Sequence, residues 1–130
     1  MLGNFQQSKL RIELTADCQA IANSLQKTEQ LRQWLAPQTL VGDLPETLTT
    51  GTTFTSKLGL IEVEHTVKTA EDNCLLLLLS QGIDGYHRWY WGDGWVQSNL
   101  EGISLLPLNL GHTFSLLRLR QHLASSAKQD

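Results

Sequence analysis

Residues 85–102, GYHRWYWGDGWVQSNLEG, hold three of the four tryptophans and both tyrosines of a 130-residue chain. Two alternating runs split by Asp93-Gly94 constrain the fold more than any other stretch, because a period of two around such a dipeptide is an antiparallel hairpin. With a two-residue loop, Gly92 faces Trp95, Trp91 faces Val96, Trp89 faces Ser98 and His87 faces Leu100. His87, Trp89, Trp91, Val96, Ser98 and Leu100 then share the more apolar face, which should look inward. Tyr86, Arg88, Tyr90, Trp95, Gln97, Asn99 and Glu101 share the other. A three-residue loop over 92–94 would instead turn Trp95, Gln97 and Asn99 inward beside Trp89, since one residue of slip exchanges the faces. The suitability of Asp-Gly for a type I′ turn favours the shorter loop.

The rest of the chain orders itself before and after this hairpin. Leu10, Ile12 and Leu14 alternate with Arg11 and Glu13, which predicts an opening strand. In TADCQAIANSLQKTEQLRQWLAP, the spacing of Ile21, Leu25, Leu31, Trp34 and Leu35 predicts one or two short helices between an N-cap at Asp17 and Pro37. Lys27-Thr28-Glu29 suggests a break, with Thr28 capping the second helix. From residue 38 the period returns to two. A strand is expected at 38–42, then a loop, then a strand carrying Phe54, Ser56, Leu58 and Leu60 on one face. The next carries Ile61, Val63, His65 and Val67 on one face. TAEDN (69–73) and GIDG (82–85) read as turns flanking CLLLLLS, a strand apolar on both sides. Pro107 and Asn109 precede a final helix over about 110–125, with a fraying tail SSAKQD.

Composition excludes several classes of function. The chain is 41% apolar and 18% charged with a net charge of -3, which suits an ordinary globular domain. No window clusters Lys and Arg, so no nucleic-acid partner is expected. The longest apolar run, LLLLL at 75–79, is far short of a membrane span. The start lacks a basic stretch followed by an apolar one, so no signal peptide is read and a cytoplasmic location is expected. Cys18 and Cys74 show no metal-ligand spacing and read as small buried hydrophobes in a reducing compartment. His87, His112 and His122 have no metal spacing either, and the glycines at 82, 85, 92 and 94 punctuate turns rather than cradle phosphate. No metal and no cofactor is expected, and no linker divides residues 1–130, read as one domain with its core at about 8–125.

One strand, two short helices, about six more strands and a long C-terminal helix make an α+β arrangement, with a curved antiparallel sheet of about 6–7 strands wrapped around the last helix. That order resembles the SRPBCC superfamily, also called START-like or birch-pollen-allergen-like, with its helix-grip fold. Three stretches carry the resemblance: the opening strand with ADCQAIANSLQKTEQLRQWLAP, the hairpin GYHRWYWGDGWVQSNLEGISLLP, and the closing LGHTFSLLRLRQHL. The resemblance lies in element order and patterning, with no short invariant motif. It implies a cup whose apolar cavity lies between sheet and helix. Known members bind or transfer lipids and sterols, cyclise polyketides, supply small-molecule sites for oxygenases, or activate a heat-shock chaperone, so fold likeness alone does not select the function.

If the cup is present, its expected lining is Phe54, Leu58, Val63, His65 and Val67 from the middle strands, and His87, Trp89, Trp91 and Ser98 from the hairpin. The last helix would add Thr113, Phe114, Leu117 and Arg120. On a wheel of 100° per residue, Leu110, Phe114 and Leu117 form one apolar arc and Leu116, Leu119 and Leu123 a second. Thr113 and Arg120 fall between them; Arg120 would clamp an anionic head group or else snorkel out at the helix end. An apolar surface this wide is either clasped by the sheet or shared with a second copy, so a homodimer through the C-terminal helix, on Leu116, Leu119 and Leu123, is an open expectation. His65 is a polar residue on an apolar strand face: a proton donor or acceptor, or a core histidine with one hydrogen bond.

Three functions remain. The first is binding or transport of a small hydrophobic or amphipathic molecule, its aromatic walls giving area with little flexibility. The second is a polyketide-cyclase-like enzyme in the same cavity, using His65 or Arg120. The third is a protein-interaction module. No catalytic residue is assigned, and the cavity could equally be filled by Trp34, Trp89 and Trp91.

Overall fold

The computed structural model describes residues 3–35 and 38–128. In chain order the elements are β1 (Asn4–Glu13), α1 (Cys18–Gln26), α2 (Thr28–Leu35), β2 (Thr39–Val41), β3 (Thr53–Leu58), β4 (Ile61–Ala70), β5 (Cys74–Gln81), β6 (Asp84–Gly92), β7 (Trp95–Ser104) and α3 (Leu108–Lys128). The strands form one seven-stranded antiparallel sheet in the order β1-β7-β6-β5-β4-β3-β2. The sheet curves around α3, which packs on β1, β7 and both short helices. This is the helix-grip α+β architecture.

The β6–β7 hairpin has the register of the two-residue loop: Gly92 pairs with Trp95, Trp91 with Val96, Trp89 with Ser98 and His87 with Leu100. The turn chemistry differs from expectation. Only Gly94 has a positive φ, 81°, so this is not a type I′ turn, which needs one at Asp93 as well. The turn is shaped by what it docks on. Gly94 N–H donates to Ala16 O (2.8 Å), Leu14 N–H donates to Gly94 O (3.0 Å), and the Asp93 carboxylate accepts from Cys18 N–H (2.7 Å). Asp17 meanwhile caps α1 by accepting from Ala20 N–H at 2.8 Å. Two aspartates thus satisfy amides at the start of α1 that have no partner within the helix.

Several element boundaries depart from the sequence reading. Thr28 is the first residue of α2 and not its cap; its hydroxyl donates to Pro45 O at 2.5 Å and holds the following loop. The expected helix end at Pro37 lies outside the described residues. Leu60 leaves the face of Phe54 and Ser56 because Gly59, φ 61°, turns the chain after Leu58; Leu60 is 99% exposed. The GIDG turn contracts to Gly82–Ile83, because Asp84 already belongs to β6. Gly85 faces Gly102 across β6 and β7, and a Cβ on Gly85 would collide with the Glu101 carbonyl. Helix α3 starts two residues earlier than expected and runs through part of the supposedly frayed tail, to Lys128.

Helix α3 buries a different line from the one the wheel suggested. Leu108, His112, Leu116, Leu119 and Leu123 are all buried, and their spacing confines them to an arc of about 80°. Leu116, Leu119 and Leu123 are each at most 4% exposed, contributing about 1.5–3 kcal/mol apiece to folding. They belong to the core of their own chain and cannot form a dimer face. Among the described residues Leu110, Phe114 and Leu117 are the exposed large apolar side chains of this helix, at 70%, 52% and 48%.

Candidate functional site

The interior is hollow at one end. A cavity of about 590 Å³ lies between the inner faces of β3 to β7, the two short helices and the first two turns of α3. Its walls are mainly leucine: Leu75, Leu77 and Leu79 line it from β5, where alternation sends every second residue of LLLLL inward, while Leu78 is 41% exposed on the other side. Trp34 and Trp89 meet edge to face in the wall, with ring centroids 6.1 Å apart. Trp34 is pinned by its indole N–H, which donates to Ser24 O at 2.8 Å. At the mouth stand Leu58, Ile61, Leu110 and Phe114, all exposed.

The residues expected on the lining separate into three groups. Phe54, Leu58, Val63, His65, His87, Trp89 and Phe114 border the cavity. Val67, Trp91 and Ser98 are buried but border other parts of the core. Val67 is tied by both backbone groups to the 51–52 loop, through Thr52 O and Gly51 N–H, beyond the reach of the hollow. Ser98 lies behind His87 and His112. Thr113, Leu117 and Arg120 are exposed, because they stand roughly 80–140° round the helix from the centre of its buried line. The Arg120 anion clamp is thereby removed. The Thr113 hydroxyl donates to Asn109 O within its own helix, at 2.8 Å.

Three histidines supply most of the polarity. His65 stacks on Phe54 (centroids 4.6 Å apart, planes within 5°) and its Nε2 is 2.9 Å from Ser56 Oγ, while Nδ1 is sealed without a partner among the described residues. His87 Nε2 lies 2.6 Å from Ser98 Oγ, and the ring leans on Trp89 at 4.5 Å. His112 joins Ser98 Oγ through Nε2 (2.8 Å) and Ser8 Oγ through Nδ1 (2.7 Å), and its ring meets His87 edge-on. Burial lowers the pKa of His65 to about 4 and that of His112 to about 4. It lowers that of His87 well below the usual imidazole value, helped by the neighbouring His112 and His65. All three are neutral at pH 7. His87 retains some accessible surface although it is remote from bulk water; that surface faces the cavity.

His112 and Ser56 were missed as wall residues. The signal for His112 was present in the spacing Leu108, His112, Leu116, Leu119, Leu123, which places it on the buried line. Ser56 alternates with Phe54 on the inner face of β3.

A curved seven-stranded sheet closed over a hollow by one long helix defines a helix-grip protein. The chain shares that fold with solved proteins at low sequence identity. DynU16, a protein of the dynemicin biosynthetic locus, matches with a TM-score of 0.69 at 16% identity over 92% of this chain and 48% of that one. This chain therefore spans about half the length of DynU16. The AHSA1-like protein from Aeromonas hydrophila matches with a TM-score of 0.74 at 12% identity over 94% of each chain. Aha1 from Colwellia psychrerythraea, solved as a dimer, matches at 0.66 with 12% identity over 91% of this chain and 96% of its own. The likeness is one of fold, the helix-grip architecture that the resemblance implied. No family model and no curated protein sequence matches the chain. Among the described residues no helix is long and apolar enough to cross a membrane.

Proposed function

We propose that this protein binds or carries a small hydrophobic or amphipathic molecule inside the cavity. One observation carries the reading: a hollow of about 590 Å³, walled by leucines and two indoles, is kept open where a chain of this size could have closed it. Empty apolar volume forgoes dispersion contacts, and a filled core would be the more stable arrangement. The volume suits a drug-sized guest. The exposed Leu58, Ile61, Leu110 and Phe114 at the mouth would lower the cost of an apolar guest passing from water to wall. Cys18 and Cys74 are free thiols, in keeping with a cytoplasmic setting.

The test is native mass spectrometry of freshly purified protein, followed by titration of tryptophan emission with sterols, aromatic polyketides and fatty acids. Trp34 and Trp89 border the guest, so binding should shift their emission with saturation. Absence of both a retained molecule and any saturable change would reject the reading.

A cyclase-like enzyme is the second reading, supported by the three imidazoles around one hollow. DynU16, from a biosynthetic locus, is a neighbour in keeping with it. Such an enzyme would lose turnover in His65→Ala while retaining its guest. A homodimer through α3 would use Leu110, Phe114 and Leu117, and size-exclusion chromatography of Phe114→Ser at several concentrations would reveal it.

A further inference from the structure

The hydrogen bonds behind the cavity run in one direction. Asn109 Nδ2 donates to Ser8 Oγ at 2.9 Å. Ser8 is buried, and the acceptor its own hydroxyl proton finds is His112 Nδ1, 2.7 Å away. A buried hydroxyl proton without an acceptor would cost about 1–3 kcal/mol, so Ser8 donates and His112 Nδ1 accepts. The proton of neutral His112 then resides on Nε2 and is donated to Ser98 Oγ at 2.8 Å. Ser98, 0% exposed, passes its own proton to His87 Nε2 at 2.6 Å. His87 is thereby set in the tautomer that carries its proton on Nδ1.

That last N–H has no partner among the described residues, and it is not among the sealed, unpaired polar atoms such as His65 Nδ1. It opens on the cavity that His87 lines. Among the described residues the lining includes no Lys, Arg, Asp or Glu, its polar side chains being Gln38, Ser56, Ser115 and the three histidines. The imidazoles are kept uncharged by burial. A carboxylate or phosphate entering here would lose its hydration with no cation to compensate, a far larger penalty than the loss of one neutral hydrogen bond. A neutral oxygen would meet a donor already aimed at it and held by a chain of partners.

We propose that the cavity selects an uncharged guest bearing an acceptor oxygen, a ketone or hydroxyl on an apolar frame, which docks on His87 Nδ1–H, and that it rejects carboxylates of the same shape. This rests on the ligand-binding reading above. The relay residues Asn109, Ser8, His112 and Ser98 act as positioning residues that set the tautomer of His87.

Three near-isosteric probes separate the possibilities: pyrene, 1-acetylpyrene and 1-pyrenecarboxylate, with affinity read from their own fluorescence anisotropy at pH 7.5. The expected result is that 1-pyrenecarboxylate binds about a hundredfold more weakly than 1-acetylpyrene. In His87→Phe, the preference for 1-acetylpyrene over pyrene should fall about tenfold, the worth of one buried hydrogen bond, while pyrene affinity holds and reports an intact cavity. A carboxylate within tenfold of the ketone, or a preference unchanged in His87→Phe, overturns the inference while leaving the carrier reading standing. Failure of all three probes to bind overturns both. Should His87→Phe not fold, the carboxylate comparison on the unaltered chain decides by itself.

Discussion

The inner face of β6 has two ends that differ in everything except their pattern. At one, Trp91 pairs with Val96 and both are almost wholly buried, at 2% and 0%, where β6 meets α1 and the hairpin turn is bonded to the β1–α1 corner. At the other, His87 pairs with Leu100, and the space in front of them is empty. Trp89 stands between, in the wall of the hollow. The residues alternate identically along the strand. Alternation assigns a face; whatever stands across that face decides whether it becomes solid core or cavity.

The contrast can be tested most strongly by truncation. Trp91→Ala removes a large side chain from a packed site and should cost about 3–5 kcal/mol in urea unfolding. His87→Phe, at the hollow end, should cost about 1–3 kcal/mol, since the cavity accommodates the new ring and the loss is that of the acceptor for the buried Ser98 hydroxyl. Equal losses at the two sites would erase the distinction.

Acid should act on the hollow end. In the unfolded chain the histidines take up a proton near 6.5, whereas folded His65 and His112 hold out to about 4. Between those values the unfolded state binds more protons, so stability is complete above about pH 6.5 and is lost as the pH falls towards 4. By pH 5 each of these two histidines should withdraw about 2 kcal/mol relative to pH 7.5. Urea midpoints at the two pH values measure this, and His65→Phe should flatten the dependence by its share. A midpoint indifferent to acid would contradict the burial of these rings.

Enlargement gives the finer comparison. Val96→Phe forces volume into the solid end and should cost about 1–3 kcal/mol, while Leu77→Phe projects into the hollow and should cost under about 1 kcal/mol. The latter should also weaken binding of pyrene. Similar penalties for both, in parallel urea titrations, would mean that the hollow closes in solution.

Much of this architecture was legible in the chain. Asp93-Gly94 and the alternation beside it specified the hairpin register, because a slip of one residue would have moved indoles and amides to the wrong faces. Asp17, the break at Lys27 and the leucines of β5 marked the elements on either side. The same local rules misjudged features whose cause is remote. The turn at Gly94 takes its shape from Ala16, Leu14 and Cys18, not from the preference of Asp-Gly for a type I′ geometry. Leu110, Phe114 and Leu117 look as apolar as Leu116, Leu119 and Leu123, and only packing separates the exposed strip from the buried one.

The site was half visible. Phe54, Val63, His65, His87 and Trp89 occupy inward positions of a two-residue period, which sequence reports directly. The partners of those histidines did not show themselves, because Ser8, Ser98 and His112 are up to 104 residues apart and meet only when β1, β7 and α3 assemble. Sequence alone therefore determined which segments become strands and helices, how the β6–β7 hairpin pairs and which strand faces are apolar, since periodicity, turns and caps are local properties of neighbouring residues. Tertiary structure alone decided that one end of the interior is filled and the other left open, and that the open end carries a neutral donor. Volume and hydrogen-bond direction belong to the surfaces that meet, not to any one of the segments that supply them.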